Sequence, residues 1–156
     1  MSKFIAITIG DIKGIGIKIL LETWDRKKIK NFILFTDINV INKYLNNSEI
    51  KNLNIINLNK NKLHFDKKKI NIFSYKSRSL EDNTYKSLKF SYDYCKKNIC
   101  IGIITLPLRK DLIRRKINKN FIGHTEYFQK KDKKKFSNMI LYHKKIIISP
   151  LTTHVK

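Results

Sequence analysis

Four short clusters bring together residue types that can do chemistry. Gly10-Asp11 opens the glycine loop Gly10-x3-Gly14-x-Gly16, and Thr105 is followed by Arg109 and Lys110. Gly123-His124-Thr125-Glu126 joins an imidazole, a hydroxyl and a carboxylate, and Thr152-Thr153-His154 sets a second imidazole behind two hydroxyls. Imidazole ligates metals and exchanges protons near neutral pH. Free amides at a helix start favour an anion, and Arg and Lys hold anionic groups. Each cluster also has a plainer reading. The glycine loop matches neither G-x-G-x-x-G nor G-x4-G-K-[ST], so tight backbone turning accounts for it equally well. His124 to Glu126 reads alternatively as a helix start with a capping Thr125, His154 as a surface histidine, and Arg109 with Lys110 as solvated charges.

The elements that position these clusters follow from periodicity. Residues 4–9 form a buried strand that runs through the glycine loop into a helix to residue 24. Further strands are expected at 31–36, 53–58 and 70–73, with a helix at 38–45 and a lysine-rich exposed connection at 59–69. Ser79 caps a helix to about residue 97, with Glu81 and Asp82 in the first turn complementing the helix dipole. Residues 100–105 are continuous rather than alternating, which predicts a central parallel strand covered on both faces. Short helices follow at 111–116 and from 121, then a charged stretch at 130–135 and a last strand at 144–149. Strands alternating with helices predict an α/β domain with a mostly parallel sheet flanked by helices. Ligands bind such sheets beyond the carboxyl ends of the strands, which is where three of the four clusters fall. No linker or repeat divides the chain, so residues 1–156 read as a single α/β unit.

Composition bounds the partners. The chain has 156 residues, 34 basic and 12 acidic, and a formal charge of +22, with 42% hydrophobic residues, enough for a core. The basic residues are 29 Lys and only 5 Arg, and Ile, Lys and Asn together supply 72 of the 156 positions. Codons for these three residues are A/T-rich, so most of the charge reads as compositional drift on exposed positions. Phosphate and base recognition favour the bidentate Arg fork, so nucleic acid is not the expected partner. Cys95 and Cys100 lack C-x-x-C spacing and read as structural thiols. The apolar stretch 99–108 is about half a membrane span, and no segment resembles a signal peptide. A soluble cytoplasmic protein is expected.

Taken together, the pieces carry a resemblance. A strand followed by Gly-Asp-x-x-Gly-Ile-Gly (10–16), then Ile-Thr-x-Pro-x-x-Lys (104–110), Phe-x-Gly-His-Thr-Glu-Tyr (121–127) and Thr-Thr-His (152–154) resembles the 4-hydroxythreonine-4-phosphate dehydrogenase family of vitamin B6 synthesis. The resemblance implies part of the isocitrate/isopropylmalate dehydrogenase-like fold and a homodimer. It implies metal-dependent oxidation of 4-phosphohydroxy-L-threonine with NAD or NADP, followed by decarboxylation, the divalent metal being zinc, magnesium or cobalt. Carried over, His124 and Thr125 are the substrate-binding pair and His154 is the first of three histidine metal ligands. The resemblance covers the whole chain but only about the N-terminal half of the family's usual length. The other two ligands and the cofactor segment would then lie further on, and the chain reads as a truncated or degenerate member. His64 and His143 fall in no ligand motif. Ile12, Lys13, Ile17 and Lys18 replace the family's Pro, Ala, Pro and Glu, and Leu106 and Arg109 depart from a small and a polar uncharged residue. The alternative is a non-catalytic basic module that keeps the half-fold and uses Lys67 to Lys69 and Lys130 to Lys135 against nucleic acid.

Overall fold

Short runs rich in Ile, Phe and Leu give five strands, and their order along the sheet decides which loops meet. The computed structural model describes residues 4–56 and 65–150. The strands are β1 (Phe4–Thr8), β2 (Phe32–Thr36), β3 (Leu53–Ile56), β4 (Ile70–Ser74) and β5 (Cys100–Thr105). They form one parallel sheet in the order β3-β4-β2-β1-β5. The connecting helices are α1 (Ile15–Asp25), α2 (Ile38–Ile41), α3 (Asn47–Lys51) and α4 (Leu80–Lys96), and α5 (Lys110–Lys116) follows β5. Among the described residues no helix is long and apolar enough to cross a membrane.

Strand alternation divides the core between the two faces of the sheet. Ile7, Leu34 and Ile72 pack with Ile17, Leu20 and Leu21 of α1. Ala6, Ile33 and Phe35 point the other way, toward Phe90 and Tyr94 of α4, where the Phe35 and Tyr94 rings stand 5.5 Å apart. β2 lies at the centre, and all five of its residues are buried, as both-sided cover of a parallel sheet requires. α4 presents a small, hydroxylated stripe inward, with Thr84, Ser87 and Ser91 buried. The Ser87 and Ser91 hydroxyls donate to carbonyls three residues back, at 2.7 and 3.1 Å, so these polar groups are satisfied within the helix.

Several sequence expectations are corrected. The run 100–105 is not central: β5 is an edge of the described sheet, with Ile101 59% and Ile104 42% exposed. An apolar run alone does not distinguish covered faces from uncovered ones. The helix expected at 38–45 is a single turn, α2, followed by turns, and α3 is an additional helix. A capping box starts α3: the Asn46 side chain accepts from the Glu49 amide, and the Glu49 carboxylate accepts from the Asn46 amide. The strand expected at 144–149 does not join the parallel sheet. It is β7 (Ile146–Ile148), paired antiparallel with β6 (Leu141–His143) in a hairpin.

The contacts divide the chain into two compact units, Met1–Lys119 and Asn120–Lys156. The second holds α6 (His124–Lys131) and the hairpin. Phe121 and Tyr127 are buried, their rings 6.2 Å apart.

A parallel sheet collects its connections at two ends, and here the ends differ in charge. Counting each connection with three flanking helical residues, the amino end holds Arg26, Lys27, Lys28 and Lys30 before β2, Lys51 before β3, Lys67 to Lys69 before β4, and Lys96 and Lys97 before β5. Against these stand Asp25, Glu49 and Asp66. On the same count, among the described residues, the carboxyl end is balanced: Lys13, Lys76, Arg78, Arg109 and Lys110 face Asp11, Asp37, Glu81, Asp82 and Asp111.

Candidate functional site

The first two clusters meet beyond the carboxyl ends of β1 and β5. Pairing of Ile7 with Ile104 and of Thr8 with Thr105 brings the two strand ends level. The Thr8 hydroxyl then accepts from the Leu106 amide at 3.2 Å, and the Asp11 amide donates to the Pro107 carbonyl at 2.7 Å. Gly10 has φ +61°, and a Cβ there would overlap the Leu106 and Pro107 carbonyl oxygens. At Gly16 a Cβ would stand 3.1 Å from both Leu106 Cβ and Pro107 Cδ. Two of the glycines therefore let the β1–α1 segment close on the β5–α5 segment, and the backbone-turning reading of the loop is the one the structure supports. The side of Gly10 where a Cβ would stand is filled by the chain's own carbonyl groups.

Thr84 ties α4 to this junction, its hydroxyl donating to the Gly10 carbonyl at 2.5 Å. A cleft of about 280 Å³ opens beside it, lined by Asp11 and Lys13, by Leu80, Glu81 and Thr84 of α4, and by Arg109, Leu112, Ile113 and Lys116. Its charges are mostly neutralised locally. Lys116 Nζ lies 2.6 Å from Glu81 Oε1, and the exposed Arg109 guanidinium lies 2.9 Å from Asp111. The Lys116 hydrogen bond holds the Glu81 carboxyl below its ordinary value. Burial pushes the neighbouring Asp82 carboxyl upward, but hydrogen bonds from the Arg78 amide and Lys86 together bring it below its ordinary value.

The departures from the family pattern sort by exposure. Ile12 and Ile17 are core residues, whereas Lys13 and Lys18 are exposed, so the reversed charge at Lys18 lies outside the packing. Leu106 is buried where the β5–α5 segment meets Gly16.

A second polar network at the same end escaped the sequence reading. Asp37 is 4% exposed and accepts from the Asn39 amide at 2.9 Å and from the Ser77 amide and hydroxyl at 2.7 and 2.8 Å. Its own amide donates to the Asn83 side chain at 2.9 Å, and Asn83 in turn donates to the Thr36 hydroxyl. The Tyr75 hydroxyl donates to the Asn83 carbonyl at 2.8 Å, and burial raises the Tyr75 pKa well above the usual phenol value. The only sequence signal was polar residues directly after strands, in Thr36-Asp37 and in Ser74 to Ser77.

In the second unit, His124 and Thr125 are the first two residues of α6, with Gly123 at the cap position and no side-chain cap. Thr125 is thus exposed inside the helix and is not its cap. Glu126 lies in the first turn and Lys130 and Lys131 in the last, matching the dipole at both ends. His143 ends β6 and is exposed. Thr152, Thr153, His154 and His64 lie outside the described residues. Cys100 is buried, and burial, with Cys95 nearby, pushes its thiol up to about 12, which suits an inert structural thiol.

The family model described as "Pyridoxal phosphate biosynthetic protein PdxA" matches residues 25–156. The chain belongs to this family. Solved structures of 4-hydroxythreonine-4-phosphate dehydrogenases share the fold. A Salmonella typhimurium protein assigned to that activity matches with a TM-score of 0.82 at 19% identity, over 99% of this chain and 53% of its own. The Klebsiella pneumoniae enzyme matches with a TM-score of 0.77 at 20% identity, over 99% and 52%. The Burkholderia phymatum enzyme gives 0.77 at 17%, over 100% and 51%. The chain therefore spans about half the length of these PdxA-family structures. No curated protein matches the sequence.

Proposed function

We propose that the chain serves in the oxidation of 4-hydroxythreonine-4-phosphate, as a cytoplasmic, NAD- or NADP-linked, metal-assisted dehydrogenase of the PdxA family. The observation that carries this reading is the family match over 25–156, which spans the 104–110, 121–127 and 152–154 segments. His124 and Thr125 are assigned to substrate. They begin a helix, where unsatisfied amides and the dipole favour the anionic groups of a phosphorylated amino acid.

A catalytic divalent ion takes about three protein ligands. Among the described residues no group of three His, Cys, Asp or Glu could hold one, and the proposed ligand His154 lies outside them. The described residues do not by themselves make a metal site.

A homodimer is the proposed assembly. Support comes from the hairpin, where Leu141, Tyr142 and Ile147 are 56%, 72% and 67% exposed. A two-stranded hairpin needs cover to be stable, and a second copy is the proposed cover.

The test is reduction of NAD(P) by the chain with 4-hydroxythreonine-4-phosphate and a divalent metal, paired with calorimetric binding of the same substrate. His124→Ala is expected to weaken substrate binding about tenfold or more, in keeping with loss of a hydrogen bond to a charged group. Unchanged binding by the folded variant removes His124 from the site.

A further inference from the structure

We propose that the amino-terminal end of the parallel sheet is a binding face for the phosphate backbone of nucleic acid, contacted without regard to sequence. The face lies at the opposite end of the sheet from the cleft and is independent of the dehydrogenase reading. Drift toward lysine explains how many lysines the chain has. It does not explain why, among the described residues, ten basic side chains at the amino end face only Asp25, Glu49 and Asp66, with Arg26 also paired to Glu22 at 3.7 Å, while the carboxyl end is balanced.

Parallel topology fixes the shape of this charge. Every connection entering a strand lies at the same end, and neighbouring strands are about 4.8 Å apart, so the entries to five strands form a row about 19 Å long. Lys28, Lys68 and Lys97 mark the entries to β2, β4 and β5, and all three are exposed. Among the described residues no carboxylate pairs with Lys28 or Lys68. The Lys97 ammonium is held 5.4 Å over the Tyr94 ring.

The choice of side chain sets the class of partner. Ordered phosphate clamps and base reading favour the bidentate arginine fork, so a face of lysines is suited only to loose point-charge contact with a phosphate backbone. Exposed Asn31 and Asn98 stand in the same connections and supply hydrogen bonds to backbone oxygens. No large exposed apolar side chain lies in these connections among the described residues, and insertion into a bilayer interface requires one. Nucleic acid is therefore favoured over an anionic membrane.

The test is fluorescence anisotropy of a labelled mixed-sequence DNA duplex with the full chain over a salt series. Binding is expected with a log–log salt slope of about −3 to −5, from release of a few counterions. The triple variant Lys28→Glu, Lys68→Glu, Lys97→Glu is expected to bind about tenfold more weakly or worse. A control with the same charge change on other exposed surfaces, Lys18→Glu, Lys43→Glu, Lys89→Glu, should lose about threefold or less. Gln at the first three positions reads the same ordering if Glu disturbs folding. Equal losses in the two triples, no binding at low salt, or stronger binding to phosphatidylserine vesicles than to the duplex would each overturn the proposal.

Discussion

The two ends of the sheet solve different problems with the same topology. At the carboxyl end, separate segments are bonded to one another: Leu106 to Thr8, Asp11 to Pro107, Thr84 to Gly10, and Ser77 to Asp37. At the amino end the helix ends close on themselves, and among the described residues the backbone bonds that join separate segments there only extend the sheet ladder, Ile5 to Asn31 and Ile70 to Asn52. Lys27 and Asn98 each adopt positive φ just past a helix, with bonds only to the preceding turn. Long-range bonds fix positions to within a fraction of an ångström, as a site requires. Locally closed turns leave their side chains free to vary, and lysine accumulates there. The difference predicts that equal chemical changes at the two ends will have unequal effects on stability.

The largest effect is expected at Gly10. Gly10→Ala incurs about 1–2 kcal/mol for a left-handed alanine. Its Cβ must also push the Leu106 and Pro107 carbonyls away, endangering the Asp11–Pro107 and Thr8–Leu106 bonds at about 1 kcal/mol each. Destabilisation of about 3 kcal/mol or more follows, read as a lower urea midpoint. Gly14→Ala in the same loop, with φ −89° and its nearest contact 3.2 Å from Asp11 O, is expected to lose under about 1 kcal/mol. Similar losses at the two glycines would refute interlocking of the two segments at Gly10.

Much of this architecture was legible because period and capping are local. Strands 1, 2 and 4 and α4 with its Ser79 cap stand where the sequence puts them, within a residue or two at their ends. The Gly10 loop and the 104–110 segment were separately visible as motifs, but their mutual closure was not, because only the sheet order makes β1 and β5 neighbours. Asp37 was missed for the same reason: its partners are about 40 residues away, at Ser77 and Asn83. The edge position of β5 is likewise a property of the sheet and not of the run Cys100 to Thr105. The family resemblance needed only the order and spacing of motifs, and the family match from residue 25 onward bears it out over the 104–110, 121–127 and 152–154 segments, while the glycine loop with Lys13 and Lys18 lies ahead of that match.

A middle-sized effect is expected in acid. The Glu81 and Asp82 carboxyls are held below their ordinary values when folded. The unfolded chain therefore binds protons first as pH falls, and the stability these groups contribute is complete above about pH 5 and is lost on passing down through their folded values. Glu81 is 12% exposed and its partner Lys116 49%, so solvent screening keeps this pair to about 1 kcal/mol or less. Glu81→Gln is expected to lower the thermal midpoint at pH 7 and to flatten its fall between about pH 5 and 3, relative to the parent chain. Lys28→Gln at the amino end should leave that slope unchanged. A parallel fall in the parent and Glu81→Gln would mean that other groups carry the acid response.

The smallest effect has the opposite sign and lies at the amino end. Lys27 stands at φ +56° just past α1, its amide donating to the Trp24 carbonyl at 2.8 Å while the Lys28 amide donates to that of Thr23 at 3.0 Å. This is the Schellman pattern, whose left-handed position is usually glycine. Glycine there removes the side-chain penalty but adds freedom to the unfolded chain, leaving a net gain of about 0.5–1 kcal/mol for Lys27→Gly. Asn98 occupies the equivalent position after α4, at φ +57°. Asparagine tolerates that region better than lysine, so Asn98→Gly should gain less. Lys27→Ala removes the same charge without relieving the backbone, and its urea midpoint should not rise. A rise in Lys27→Ala equal to that in Lys27→Gly would assign the gain to relief of the crowded positive charge and not to backbone conformation.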